Sequence, residues 1–449
     1  MASHISSIAD FILTPDIPHG PRDRAALLLI DTLGVAAGAT HLDPSRIARQ
    51  HAARFHGAAD ADSAPMLFDG RRVSIAGSAY AAATQIDNLD AHDGFNPVKG
   101  HIGCAVVPAL LAFADARPDL TAGQALDILA MSYEISARAG LALHATVSDY
   151  HTSGAWNALG VAAIGCTLRT ADAGCLREAL GIAEYHGPRS QMMREIQTPT
   201  MLHDGSGMGA LTGSMAALLA LDGFSGAPAI TIEGSEARPF WEDLGTHWTI
   251  MENYIKPYPV CRWAHAPLDG LRALMRDHGL GPQDIDRVSV HTFAEGAALF
   301  QGLPDTTGQA QYSMHFALSV LMRYGEVGPD HISGAGLQDP DVASLMPRIS
   351  VAEDPAHNAR FPQRRTAEVN VTLQDGTQLA SGVVDARGGP DTWLPETEYQ
   401  EKFMQFCAPV TGDERAGDIW NMRSRMVAEP DMPFSMLADL VSAPVPPRD

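Results

Sequence analysis

Hydrophobic residues recur at intervals of three and four positions through the first half of the chain, from about residue 22 to residue 222. Alanine and leucine supply most of these positions, and the alternation typical of strands is scarce. Several stretches are apolar on nearly every side, which is typical of helices buried among other helices. The pattern predicts helices over residues 24–37, 76–89, 105–116, 122–142, 154–168, 176–183 and 207–221.

The pattern changes after Tyr254, where alternation with a period of two residues becomes visible. Residues 287–293 alternate as a strand does, and residues 367–373 and 378–384 form two further runs separated by Asp375 and Gly376. An Asp-Gly pair between alternating runs predicts a β-hairpin. Helical periodicity returns in residues 268–277 and 312–323. Helices mixed with antiparallel strands predict a small α+β domain.

A chain of 449 residues is too long for one ordinary hydrophobic core, so at least two domains are expected. The fold class predicted is mainly α with a smaller α+β domain. We expect a helical domain over residues 1–255 and an α+β lid domain over residues 256–400. Residues 401–449 are expected to return to the helical domain.

The amino-acid composition argues against some classes of binding partner. Hydrophobic residues make up 45% of the chain, which is enough for a large core, and acidic residues outnumber basic ones by 53 to 31. The formal charge of −22 repels phosphate backbones and anionic lipids, so neither nucleic acid nor a membrane surface is an expected partner. An anionic substrate must therefore be bound by a few local lysine and arginine residues.

The cysteines are odd in number and form no C-x-x-C pair, which argues against disulfides and against a thiolate metal cage. They are Cys104, Cys166, Cys175, Cys261 and Cys407. The first 15 residues lack a basic segment followed by an apolar one, so no signal peptide is predicted. A cytoplasmic protein is the resulting expectation.

The segment from residue 85 to residue 108 carries the densest group of chemically active side chains, between two apolar helical runs. They are Asp87, Asp90, His92, Asp93, Lys99 and His101. The simplest interpretation is a solvated loop whose acids cap a helix. However, four Gly or Pro residues shape this loop, and His101 enters directly into a buried helix. Polar groups that enter a core cost desolvation unless they are paired or used, which favours a functional site.

Four segments in order resemble the motifs of the MmgE/PrpD family, which includes 2-methylcitrate dehydratase, cis-aconitate decarboxylase and iminodisuccinate epimerase. Residues 90–93 (D-A-H-D) resemble its acidic loop, and His101 resembles its active-site histidine. Residues 30–38 (I-D-T-L-G-V-A-A-G) resemble its first helix. Residues 151–160 (H-T-S-G-A-W-N-A-L-G) resemble its second histidine motif, and residues 256–265 (K-P-Y-P-V-C-R-W-A-H) its domain-crossing motif.

The resemblance implies a homodimer with an active site between the two domains, and metal-free, cofactor-independent lyase or isomerase chemistry on small di- and tricarboxylates. His101 and His151 are then candidates for the catalytic base and acid, because imidazole titrates near neutral pH. Asp90 and Asp93 would orient a histidine or handle a leaving hydroxyl group. Lys256 would line the pocket and stabilise the charge of an enolate-like intermediate.

Substrate binding is predicted for Arg262, Lys99, His203 and His92. Arginine can bind a carboxylate through two parallel hydrogen bonds, whereas lysine acts as a point charge. His203 stands where many relatives read V-K-D-G with a lysine, and its alternative role is to cap the helix that begins near Gly205. Two further departures make decarboxylation doubtful: Gly94 stands where the decarboxylase branch has threonine, and Phe316 where it has tyrosine.

Two other function classes remain open at the level of sequence. Asp90, His92, Asp93 and His101 are residue types that suit zinc or manganese, so a metal-dependent hydrolase is one alternative. No H-x-x-x-H pair on a helix supports it. The second alternative is a relative that binds a carboxylate without transforming it. The sequence does not choose among dehydration, epimerisation and isomerisation.

Overall fold

Ten α-helices form the first half of the described residues, and the seven helices predicted from the hydrophobic periodicity are among them. The computed structural model describes residues 2–446. The first ten helices are α1 (Ala2–Leu13), α2 (His19–Gly38), α3 (Asp43–Phe55), α4 (Ile75–Asp87), α5 (Gly103–Ala114), α6 (Ala122–Thr146), α7 (Gly154–Leu168), α8 (Ala173–His186), α9 (Met193–Gln197) and α10 (Ser206–Leu221). A short hairpin of β1 (Ser63–Pro65) and β2 (Arg72–Ser74), which was not predicted, precedes α4.

Small residues allow the central helices to pack closely. Every residue of α5 is buried, and so are all but one of α7. A Cβ atom at Gly160 would lie 2.0 Å from Ser136 Oγ on α6, and one at Gly213 of α10 would lie 2.4 Å from the Ala158 carbonyl oxygen on α7. Both distances are far below van der Waals contact, so these positions require glycine.

The second half of the chain contains a four-stranded sheet in the order β4-β3-β5-β6. Its strands are β3 (Ile285–Thr292), β4 (Ile349–Glu353), β5 (Thr366–Leu373) and β6 (Gln378–Asp385). β3 pairs with β4 in parallel, and the other pairs are antiparallel. The predicted hairpin corresponds to β5 and β6, whose turn contains Gly376 at a φ of 86°. The predicted fold class, mainly α with a smaller α+β part, is confirmed.

Helices flank the sheet and connect it to the rest of the molecule. They are α11 (Ile230–Glu233), α12 (His265–His278), α13 (Ala294–Ala297), α14 (Thr307–Gln311), α15 (Met314–Tyr324), α16 (Pro340–Leu345) and α17 (Pro355–Asn358). The helix α12 packs closely on β5 and β6. A Cβ atom at Gly270 of α12 would lie 3.0 Å from Val369 Cγ2 on β5 and 3.4 Å from Ser381 Cβ on β6.

Three last helices lie against the first ones. They are α18 (Glu396–Thr411), α19 (Asp413–Ala428) and α20 (Ser435–Ser442). Phe403 of α18 packs on Gly34 of α2, and the buried Lys402 ammonium lies 2.7 Å from the Asp31 carboxylate. Within residues 2–446 no single helix has the length and apolar character needed to cross a bilayer, although the bent pair of α2 and α3 meets that criterion by length and composition.

Candidate active site

A narrow cavity lies where the loop after α4 and the turn before α10 meet residues 254–263. The space between its lining atoms, including the part open to solvent, is about 400 Å³. Its polar lining includes Asp90, Lys99, His101, Glu195, Asp204, Tyr254, Lys256, Arg262, Tyr312 and Arg365. Five of these residues were predicted from the sequence as site residues, namely Asp90, Lys99, His101, Lys256 and Arg262. The structure therefore brings together side chains that are far apart in the sequence, such as Asp90 and Lys256, which are 166 positions apart.

His101 is held in one orientation and one tautomer. Its Nδ1 lies 2.6 Å from the backbone carbonyl oxygen of Asp93, and because a carbonyl only accepts, Nδ1 carries the proton. Nε2 then presents its lone pair, 3.5 Å from Asp204 Oδ2. Burial, followed by the nearby Lys256 ammonium, lowers the pKa of His101, although Asp204 and Asp90 oppose this change. The ring is consequently neutral and basic at neutral pH.

Asp204 was not predicted as a site residue, although it directly follows His203 in the sequence. Its Oδ1 accepts hydrogen bonds from Ser153 Oγ at 2.6 Å and from the Ser153 backbone N–H at 3.1 Å. Ser153 Oγ also accepts a hydrogen bond from the backbone N–H of His101 at 2.9 Å. One serine therefore positions both His101 and the carboxylate that faces Nε2.

Lys256 and Asp90 form a buried ion pair at the cavity wall. The Lys256 ammonium donates to the Asp90 carboxylate and, at 3.0 Å, to the Asp90 carbonyl oxygen. Burial lowers the pKa of Lys256, but the Asp90 charge outweighs this effect, and the net result is a raised pKa. Asp90 has a left-handed backbone with a φ of 53°, which turns its carbonyl and carboxylate towards the same ammonium.

Three further cations line the cavity. Lys99 lies 3.0 Å above the centre of the Tyr150 ring, and burial together with Arg365 lowers its pKa to about 8. The Arg262 guanidinium stacks 4.3 Å from the Tyr254 ring centre. It also donates to the backbone carbonyls that directly follow β6, including that of Ala386 at 2.9 Å. Arg365 was not predicted, and burial lowers its pKa to about 10.

Glu195 on α9 was also missed by the sequence analysis. Burial and the carboxylates of Asp204, Asp87 and Asp90 raise its pKa well above the ordinary value. The Tyr312 hydroxyl donates to Glu195 Oε1 at 3.2 Å. A carboxyl group in this environment keeps its proton at neutral pH, so Glu195 can donate a proton where His101 can accept one.

His151 does not line this cavity, contrary to the prediction that it shares a cleft with His101. Its Nε2 lies 3.8 Å from Asp149, and its backbone N–H donates to His144 Nε2 at 3.1 Å. The neighbouring Tyr150 does reach the site through its contact with Lys99. Within the motif, Ser153 therefore serves the site more directly than the His151 ring does, and Tyr150 directly precedes the motif.

The Asp93 side chain also points away from the cavity. Tyr133 donates to its Oδ1 at 3.1 Å, and burial raises its pKa to about 7. Only its backbone carbonyl serves the site, by orienting His101. A sequence motif identifies a residue but not which of its atoms is used, and this is why the carboxylate was the expected participant.

His92 and His203, both predicted to bind substrate, lie outside the lining of the cavity. His92 is fully buried behind His101, with ring centres 4.5 Å apart. His203 is buried beside Tyr312, at 6.0 Å between ring centres, and lines a larger neighbouring space of about 1340 Å³ that Glu195 also borders. The N-cap residue of α10 is Gly205, and no side chain caps this helix by a hydrogen bond, so His203 is not a capping residue.

The fold and cavity define a class of protein: a helical body joined to an α+β region, with a neutral histidine among acids and cations at the junction. Models of the MmgE/PrpD N-terminal domain and C-terminal domain match residues 4–237 and 258–431, respectively. The chain belongs to the MmgE/PrpD family. Members of this family are typically enzymes, including dehydratases, decarboxylases and epimerases. None of the curated proteins compared with the chain matches it.

Proposed function

We propose that the protein is a lyase or isomerase that removes a proton from the carbon next to a carboxylate of a small di- or tricarboxylate. The observation that carries this proposal is the His101 Nε2 lone pair at the wall of a cation-rich cavity. A carbon acid of this kind is weak, so abstraction needs both a positioned base and positive charge near the developing enolate. His101 supplies the base.

The charge balance of the lining favours a dianionic substrate. Asp90 is neutralised by Lys256, and Glu195 is held in its protonated form. Asp204 is then the remaining carboxylate of the lining, and the remaining cations are Lys99, Arg262 and Arg365. A surplus of positive charge at this point attracts a dicarboxylate although the chain as a whole carries −22.

Proton return is the step that separates the reaction types. After abstraction, the imidazolium of His101 donates through Nε2 and is stabilised by the Asp204 carboxylate. Glu195 can protonate a leaving hydroxyl group, which gives dehydration, or the opposite face of the carbon, which gives epimerisation. These roles use side chains alone, and we assign no step of the reaction to a metal or an organic cofactor.

A metal-dependent hydrolase is the second candidate, because donor atoms of Asp90, His92 and His101 lie within 4.8 Å of one another. The Lys256 ammonium argues against it, since it donates to both the carboxylate and the carbonyl of Asp90. A divalent cation bound there would be repelled by an adjacent buried positive charge. Asp93, which this hypothesis also needs, is turned towards Tyr133.

The experiment that tests the proposal is hydrogen exchange in heavy water. The full-length protein is incubated with a panel of hydroxy-, methyl- and amino-substituted di- and tricarboxylates, and proton NMR follows the signal next to each carboxylate. Loss of that signal for at least one compound is expected, whatever step follows. If a compound raises the melting temperature and none exchanges, the protein is a carboxylate-binding relative without catalytic activity, and the proposal is wrong.

A further inference from the structure

A buried histidine without hydrogen-bond partners stands directly behind the proposed base. His92 is fully buried, and neither of its ring nitrogens has a partner among residues 2–446. An imidazole nitrogen left unsatisfied in a core destabilises the fold, so the environment of His92 requires an explanation. Its Nε2 lies 3.7 Å from Asp87 Oδ1.

Asp87 and Cys104 complete a compact group of donors around His92. One donor atom from each of the three residues lies within 4.8 Å of the other two, and all three residues are buried. Ligands on a tetrahedral zinc ion are roughly 3.4–3.7 Å apart, given bond lengths of about 2.0–2.3 Å. The group therefore needs only a small contraction to hold such an ion.

Three separate elements hold these donors in place. Asp87 ends α4, and its Oδ2 accepts a hydrogen bond from the Ser206 backbone N–H at 3.1 Å, which leaves Oδ1 directed at His92. Cys104 lies in the first turn of α5. Its Sγ is 3.1 Å from Ser206 Oγ.

Two groups of donors share His92 and could hold a metal ion: this group, and the triad of Asp90, His92 and His101. The neighbouring charges favour this group. That triad carries the Lys256 ammonium, whereas the surroundings of Asp87 and Cys104 are acidic. In the part of the chain that the structure describes, Asp87 and Cys104 form no ion pair with a lysine or an arginine. A divalent cation that they hold is therefore not opposed by a bound ammonium, whereas one held by the triad would lie beside Lys256.

We propose that Asp87, His92 and Cys104 bind one Zn²⁺ ion, with a water molecule or the Ser206 hydroxyl in the fourth position. Imidazole, thiolate and carboxylate are the three ligand types that zinc takes in proteins. Binding releases the thiol proton of Cys104 to solvent. Asp87 also borders the larger neighbouring space, which gives the ion a route to the site.

The ion would have a structural role. It would tie His92, in the loop between α4 and α5, to Asp87 of α4 and Cys104 of α5. The His92 ring would in turn hold the neighbouring His101 ring in place. This inference departs from the sequence-based expectation of a metal-free protein without a thiolate ligand. It does not depend on the proposed reaction, because none of the three ligands lines the catalytic cavity.

Metal binding by the full-length protein tests the inference without any substrate. The reduced protein is stripped with a chelator, desalted and titrated with Co²⁺ or Zn²⁺ in the absence of oxygen. We expect one equivalent of either metal and a thiolate-to-cobalt charge-transfer band in the near ultraviolet. Cys104→Ser should abolish this band, and His92→Gln should weaken Co²⁺ binding at least tenfold, on the order expected for loss of a ligand. Cys407→Ser, which removes a buried thiol from α18, is the matched control and should bind as the wild type does.

Two results would overturn the inference. One is that the wild-type protein binds neither Co²⁺ nor Zn²⁺ when protein and metal are present in equimolar amounts. The other is binding that survives Cys104→Ser and is lost in Asp90→Asn, because the ion would then occupy the triad instead. If Cys104→Ser does not fold, as judged by circular dichroism, His92→Gln provides the same decision. If the protein binds the metal fully but exchanges hydrogen with none of the carboxylates, the proposed function is wrong and the proposed metal site stands.

Discussion

Single side chains determine whether the cavity can act as a base towards a carbon acid. The carbonyl of Asp93 fixes the tautomer of His101, and Ser153 places Asp204 opposite the free nitrogen. The partner of Nδ1 is an uncharged carbonyl, and burial lowers the pKa of the ring. The imidazole therefore stays neutral until Nε2 receives a proton. This arrangement combines a fixed orientation with a neutral ring that can accept a proton.

The sequence identified the site residues that stand in dense polar motifs and missed those that stand alone. Asp90, His101 and Lys256 belong to segments that resemble family motifs. Arg365 and Glu195 lie in unremarkable stretches and reach the cavity only through tertiary packing, so no local pattern marks them. His151 shows the reverse error, since its motif is recognisable and its ring lies outside the cavity.

Lys99 gives the proposed reaction a testable dependence on pH. Its pKa is lowered to about 8 by burial and by Arg365, with Glu295 opposing, so the free enzyme loses this cation as pH rises through 8. We expect kcat/KM for an exchanging dicarboxylate to fall above pH 8, by up to about tenfold per pH unit. An anionic substrate raises the same pKa, so kcat should fall at a higher pH.

Lys99→Arg tests this assignment, because arginine keeps its charge throughout the range. Its kcat/KM should stay level to a higher pH than that of the wild type, while Lys99→Met should be weak at every pH. Profiles measured from pH 6.5 to 9.5, bracketing the pKa of about 8, provide the comparison. Identical falls in the wild type and Lys99→Arg would show that another group titrates.

Among the secondary-structure elements, the central helices were predictable because their periodicity is long and strongly apolar. The strand β4 was not, since it has five residues and only Ile349 is buried, which leaves too little alternation to recognise. The distances between packed helices could not be predicted from the sequence either. They depend on which glycine faces which neighbouring backbone.

The contact between α6 and α7 predicts a cost for adding a single methyl group. Gly160→Ala would place Cβ 2.0 Å from Ser136 Oγ, so the two buried helices must separate. We expect the free energy of unfolding to fall by about 1–3 kcal/mol in chemical denaturation. Gly417→Ala on α19 is the control, since nothing lies within 4 Å of its Cβ position, and it should be neutral or stabilising by up to about 1 kcal/mol. Equal stability of the two variants would contradict the close packing.

On the scale of the whole molecule, one family model covers the mainly helical residues 4–237, and the other covers residues 258–431, which include the four-stranded sheet. We also propose a homodimer, as the family resemblance implies. Met208 and Met215 are exposed and lie seven residues apart, so they share one face of α10. Exposed apolar side chains grouped on one face are typical of an interface.

The dimer is tested by light scattering of the double variant Met208→Glu and Met215→Glu. Charged side chains on an apolar interface cost desolvation, so this variant should have the mass of a monomer while the wild type has that of a dimer. Ile47→Glu, at an exposed apolar residue of α3, should remain dimeric. A monomeric wild type, or a dimeric double variant, would contradict the proposed interface.

The central claim, that His101 removes the proton, is tested most directly by hydrogen exchange in His101→Asn. The asparagine amide can still donate to the Asp93 carbonyl but offers no basic nitrogen to the cavity. With a carboxylate that the wild type exchanges, the initial exchange rate should fall by at least about 100-fold while the compound still binds. His278→Gln, at the exposed end of α12, should exchange at the wild-type rate. Exchange by His101→Asn within a few-fold of the wild type would show that another group is the base.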